Sequence, residues 1–99
     1  MCTFDRVTSI IHLSKRARSD LQKVPKHIYR KLDGWISAVE NEGLEVVRKV
    51  RGYHDEPLKG QRAGQRSIRL SLSYRAIYTV AEESQVRLVR IEEVSKHEY

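Results

Sequence analysis

The chain has little of what most specialised sites are built from. Its one cysteine, Cys2, excludes an internal disulfide and a multi-thiolate zinc site. Its four histidines, His12, His27, His54 and His97, show no metal-ligand spacing, so neither a metal nor another cofactor is expected. No apolar run approaches the roughly 20 residues of a membrane span. Residues 1–18 hold no apolar core of a secretory signal before their charges begin. A reduced, cytoplasmic setting with no membrane partner is the expectation. The glycines do not spell the phosphate-binding GxxxxGK[ST] loop, and neither the RRM aromatic signature nor a KH GXXG loop is present. There are no repeats, linkers or low-complexity tracts. The 99 residues, 39% of them hydrophobic, make one domain with a modest core.

Positive charge is what the chain has in excess, with 19 Lys and Arg against 13 Asp and Glu, a net of +6. The excess is local. Residues 43–75 hold 8 cations and 3 acids, residues 1–42 hold 8 and 5, and residues 76–99 hold 3 and 5. A basic middle third attracts polyanions, nucleic acid foremost. A solvated surface explains such charge equally well from composition alone.

Periodicity gives the architecture. "RVTSIIHL", 6–13, reads as a first strand. Ser14 caps a helix over 15–24, with Ala17, Leu21 and Val24 on one face. Pro25 breaks it and opens a second helix, about 25–41, whose stripe of Ile28, Leu32, Trp35, Ile36 and Val39 faces inward until Gly43 ends it. "LEVVRKV", 44–50, adds a short helical turn. The period then changes to two. In "SIRLSL", 67–72, Ile68, Leu70 and Leu72 point one way and Arg69 the other. "YRAIYTVA", 74–81, is apolar on both faces, as a central strand is. A polar turn at 82–85 leads to a last strand over 86–94. The fold class is α+β: two N-terminal helices packed on a small, mostly antiparallel sheet in the order β-α-α-β-β-β.

The candidate chemistry lies around "HDEPLKGQRAGQRSIRL", 54–70. Lys59 and Arg62 sit in a loop flanked by Gly60 and Gly64, whose backbone allows close approach to a ligand. Arg69 and Arg75, on neighbouring strands beside a turn, converge on one phosphate, which their planar forks suit. His54, Asp55 and Glu56 precede the loop; His97, Glu98 and Tyr99 lie at the other end of the sequence. A carboxylate, a few arginines and a histidine suffice to cut RNA by 2′-OH attack without a metal. Tyr74 and Tyr99 offer rings on which a base stacks. Ordinary ion pairing competes with the roles of three of these charged residues: Glu56 with Lys59, and Arg69 or Arg75 with Glu92 or Glu93.

Taken together, "HDEPLKG", "SIRLS", "YRAIY" and "EVSKHEY" resemble the RelE/ParE toxin superfamily, specifically its RelE-like mRNA interferase branch near the YoeB- and HigB-like members. "IHLSKRARSDLQKVPKHI" resembles the family's opening strand and helices, so the likeness covers almost the whole chain. It implies a RelE-like fold, a cognate antitoxin as partner, and cleavage of mRNA in the A site of the 30S ribosomal subunit. By position, Glu56 matches the carboxylate used as general base, Arg75 the phosphate-binding arginine, and Arg69 a cation on the preceding strand. His97 matches the C-terminal acid–base or cationic residue, and Tyr99 a terminal tyrosine. One departure is plain: Glu98 stands between His97 and Tyr99, where YoeB-like members have the two adjacent. ParE-type relatives share the scaffold, act on DNA gyrase and lack this acid–base set. An inactive paralogue that only binds an antitoxin is a further alternative.

Overall fold

The computed structural model describes residues 8–83 and 85–96. Strand β1 (Thr8–Leu13) stops at Ser14, whose hydroxyl oxygen accepts from the Ala17 N–H at 3.0 Å and donates to the Glu92 carbonyl at 2.7 Å. One side chain thus caps helix α1 (Lys15–Leu21) and pins it to the last strand. α1 ends at Leu21, three residues before the expected end. Val24 precedes Pro25, and the residue before a proline is steered away from helical dihedrals. Helix α2 (Lys26–Glu42) buries Ile28, Leu32, Trp35 and Val39 at the spacing of one helical face. Gly43, at φ 91°, ends it in a conformation that side chains disfavour, and a single turn, α3 (Leu44–Val47), follows.

Four strands complete the sheet: β2 (Glu56–Pro57), β3 (Arg66–Arg69), β4 (Tyr74–Glu83) and β5 (Val86–Lys96). Their order is β1-β5-β4-β3-β2, antiparallel except for the β1–β5 pair. The two-residue β2 adds to the expected element order, and the start of the first expected strand, residues 6 and 7, lies outside the described residues. β4 runs into the expected polar turn as far as Glu83, while β5 begins at Val86 as expected and continues to Lys96. β3 corrects the sequence reading in the other direction. It ends at Arg69, and Leu72, expected to face inward, is 76% exposed at the hairpin tip. The cause is local. The Leu70 and Ser71 N–H groups both donate to the Tyr74 carbonyl, and the Ser71 hydroxyl accepts from Ser73 and Tyr74.

Alternation gives each strand two faces. Ile68, Ala76, Tyr78, Val89, Ile91 and Val94 meet the helices in one core, where the Trp35 and Tyr78 rings lie 5.1 Å apart. β1 pairs with β5 only as far as Ile91. Beyond it, the Val94 N–H donates to Asp20 Oδ2 at 3.1 Å, so α1 covers that stretch of open edge. The β4–β5 register slips by one residue, from Ile77↔Glu93 to Tyr78↔Ile91, leaving Glu92 as a bulge. No helix among the described residues is long and apolar enough to cross a membrane.

Candidate active site

A sharp bend sets the site up. After the single turn at Arg51–Tyr53, His54 adopts left-handed dihedrals (φ 48°, ψ 51°). The next two acids then part to opposite faces of the sheet. Asp55 turns to the helix side, where its side chain is 1% exposed. It accepts from Arg66 Nε at 2.6 Å and from the Tyr78 hydroxyl. Burial first, and the adjacent Asp55 second, push the Tyr78 hydroxyl up to about 12. Burial pulls the Arg66 guanidinium down, but its hydrogen bond and charge contact with Asp55 prevail and leave it raised.

Glu56 takes the open face. Its carboxylate is 3.6 Å from Arg75 Nη1 and 3.7 Å from His54 Nε2, and stays 44% exposed. The register explains the first contact. Glu56 pairs with Ser67, Ser67 with Ile77, and Ile77 with Glu93, making one row across the open face. Arg69, Arg75 and Ser95 make the next row. Arg75 therefore projects beside the Glu56 row, with Arg69 as its direct cross-strand neighbour. Arg69 forms no ion pair among the described residues, although such close like charges repel.

The far end of the row holds Glu93, which is 8% exposed. Arg62 Nη2 lies 3.1 Å from its Oε1, and Arg16 Nη2 lies 3.6 Å from its Oε2. Arg62, Arg75, Glu93 and Lys96 line one shallow hollow of about 200 Å³, floored by Ile77 and Leu58. A larger hollow of about 630 Å³ lies between the end of α2 and β1, with Glu40, Glu42 and Glu45 in its wall and Arg87 its single lining cation. Such a wall repels a polyanion, so the smaller, basic hollow is the better site for a phosphate.

The structure thus brings Glu56, Arg62, Arg69 and Arg75 to one face. Lys59 is exposed on the loop beside them. Glu56 pairs with Arg75 and His54 rather than with Lys59, and Arg75 with neither Glu92 nor Glu93. Tyr74 is a correction: the strand alternates it to the other face from Arg75, where it packs against the core, so it offers no stacking ring to the cleft. His97 and Tyr99 lie outside the described residues. Sequence reasoning named Glu93 only as an ion-pair partner for Arg69 or Arg75, missed its pairing with Arg62, and missed Arg16. The one available signal was the consecutive pair Glu92–Glu93, which breaks the alternation of β5 where the bulge falls.

A small α+β fold of this kind, with a basic open sheet face, is that of a bacterial toxin superfamily. Residues 11–96 match the family described as the ParE toxin of the type II toxin-antitoxin system parDE, and the chain belongs to that family within the RelE/ParE toxin superfamily. It is similar to the solved structure of YafQ from E. coli strain BL21(DE3), at 21% identity over 91% of this chain and 94% of that one, with a TM-score of 0.72. The YoeB/ParE toxin from Agrobacterium tumefaciens is 19% identical over 89% of this chain and 98% of its own, at a TM-score of 0.69. The toxin-antitoxin complex RelBE2 from Mycobacterium tuberculosis gives 25%, 93% and 99%, at 0.58. No curated protein matches the chain in sequence. The protein is a toxin of a type II toxin-antitoxin system.

Proposed function

We propose that this toxin is an endoribonuclease that cuts mRNA in the ribosomal A site. The observation that carries the reading is the half-exposed Glu56 carboxylate beside Arg75, with Arg69 adjacent and free of any ion pair among the described residues. RNA supplies its own nucleophile, so the chemistry needs no metal. Glu56 takes the 2′-OH proton as the 2′-oxygen bonds to phosphorus. Arg75 and Arg69 stabilise the charge that builds on the phosphoryl oxygens. The P–O5′ bond breaks, and the leaving 5′-oxygen takes a proton from a histidine. His97 holds that role by resemblance, and His54, 3.7 Å from Glu56, is the described candidate. The products are a 2′,3′-cyclic phosphate and a 5′-hydroxyl. Lys59 and Arg62 hold the flanking backbone, and Tyr99 stacks a base. The physiological partner is a cognate antitoxin, whose acidic or amphipathic segment covers the basic face and excludes RNA.

Single-turnover cleavage on programmed ribosomes tests this. Arg75→Ala should slow cutting about a hundredfold, as loss of an oxyanion-type donor does. Glu56→Gln should slow cutting with ribosome binding intact and remove one limb of the pH–rate profile. Cutting at the parent rate by both variants would sink the assignment. The second reading, which the match to ParE toxins favours, is a non-enzymatic toxin directed at DNA gyrase. Inhibition of gyrase supercoiling without any mRNA cleavage would establish that one instead.

A further inference from the structure

A carboxylate in an RNA cleft repels the ligand, and a buried one is costly unless it is paired. Among the described residues Glu93 is nevertheless the most buried acid of the open face, its side chain 11% exposed. We propose that Glu93 is a positioning residue: it holds Arg62 over the cleft beside Arg75, so that both guanidinium groups meet the same stretch of RNA backbone. This rests on the ribonuclease reading above.

Arg62 needs such a hold. It ends an exposed turn between Gly60 (φ 68°) and Gly64 (φ 96°), and its long side chain has many rotamers to lose. Two contacts fix it: Nη1 to Gln65 Oε1 at 3.3 Å, and Nη2 to Glu93 Oε1 at 3.1 Å. Gln65 belongs to the same loop, so among the described residues Glu93 alone ties Arg62 across to the sheet. A guanidinium has five N–H donors, and these contacts leave several for a phosphate.

Glu93 is itself held in place. The bulge at Glu92 sets its backbone, and Arg16 of α1 approaches its other oxygen at 3.6 Å. Arg16 Nε also lies 3.8 Å from Asp20, whose carboxylate takes the N–H of the next strand residue, Val94. The network therefore runs from α1 through β5 to the loop that carries Arg62. Arg75, on the adjacent strand, lines the same hollow.

The test is equilibrium binding of a 2′-O-methylated single-stranded oligoribonucleotide, which cannot be cut, followed by fluorescence anisotropy over a salt series. Far-UV circular dichroism checks that each variant is folded. Glu93→Gln should weaken binding about tenfold and lower the slope of log K against log salt by about 0.7, the loss of one phosphate contact. Arg62→Ala should do the same, and the double variant should bind no more weakly than Arg62→Ala. Glu93→Asp keeps the charge but withdraws it by one methylene, so it should also weaken binding. A merely structural role leaves the salt slope unmoved. Binding by Glu93→Gln as tight as or tighter than the parent, or additive losses in the double variant, would overturn the proposal while the ribonuclease reading stands. A parent protein that fails to bind the probe even at low salt also overturns the proposal, while cleavage on programmed ribosomes decides the ribonuclease reading separately.

Discussion

Asp55 and Glu56 are neighbours in the chain, yet the first is 1% exposed on the helix side of the sheet and the second 44% exposed on the open side. Each faces an arginine one or two strands away: Arg66 at 2.6 Å and Arg75 at 3.6 Å. The difference lies in water. On the helix side Asp55 is closed in by Arg66 and Tyr78, so its oxygens are spent on fixed partners and the cluster ties the 54–57 bend to the core. On the open side Glu56 is loosely paired and solvated, so its oxygens remain available to a substrate proton. The same pair of residue types is a structural anchor in one place and, in the proposed function, the proton carrier in the other. Burial and geometry decide which.

Three experiments sharpen or break that contrast. The largest effect is expected from Asp55→Ala, which strips the Arg66 charge of its partner and the buried Tyr78 hydroxyl of its acceptor. It should cost about 3–5 kcal/mol in urea unfolding, as removing one partner of a buried pair does. A loss below about 1 kcal/mol would show that the cluster anchors nothing.

The second effect concerns alkaline pH. Tyr78 titrates near 12 in the folded protein against 10.0 ordinarily, so folding favours its neutral form. Its contribution is complete below pH 10 and is lost as pH rises from 10 towards 12, in total about 2–3 kcal/mol. Tyr78→Phe should abolish that part of the alkaline destabilisation, measured as unfolding free energy against pH. An unchanged alkaline limb in Tyr78→Phe would refute the linkage.

The smallest effect should come from Glu56→Gln, whose half-exposed pairing is worth within about 0.5 kcal/mol of stability. A loss comparable to that of Asp55→Ala would make Glu56 a second anchor and weaken its standing as a free base.

Much of this was legible residue by residue. The stripe Ile28, Leu32, Trp35 and Val39 announced α2, the Ser14 cap announced α1, the alternation around Ile68 announced β3, and the apolar run 74–81 announced β4. The fold class follows from those patterns, and the segments around Glu56 and Arg75 pointed to the toxin superfamily. Leu72 misled because a period of two continues through "SIRLSL" while a serine hydroxyl closes the hairpin after Arg69. Tyr74, expected to stack a base, lies on the face opposite Arg75, because adjacent strand residues face apart.

The sequence by itself determined the periods, the caps, the core stripe and the basic middle of the chain, because each depends on backbone geometry within a few residues. Only the tertiary structure decided which acid meets which arginine. Arg62 and Glu93 are 31 positions apart, and Ser14 and Glu92 are 78 apart. Such contacts depend on strand register, on one bulged residue at Glu92, and on where α1 docks along β5. A shift of one residue in register sends every side chain of a strand to the other face. Composition cannot fix that choice. Packing of the apolar face against the helices does, and it leaves Glu56, Arg75 and Glu93 together on the face that remains open.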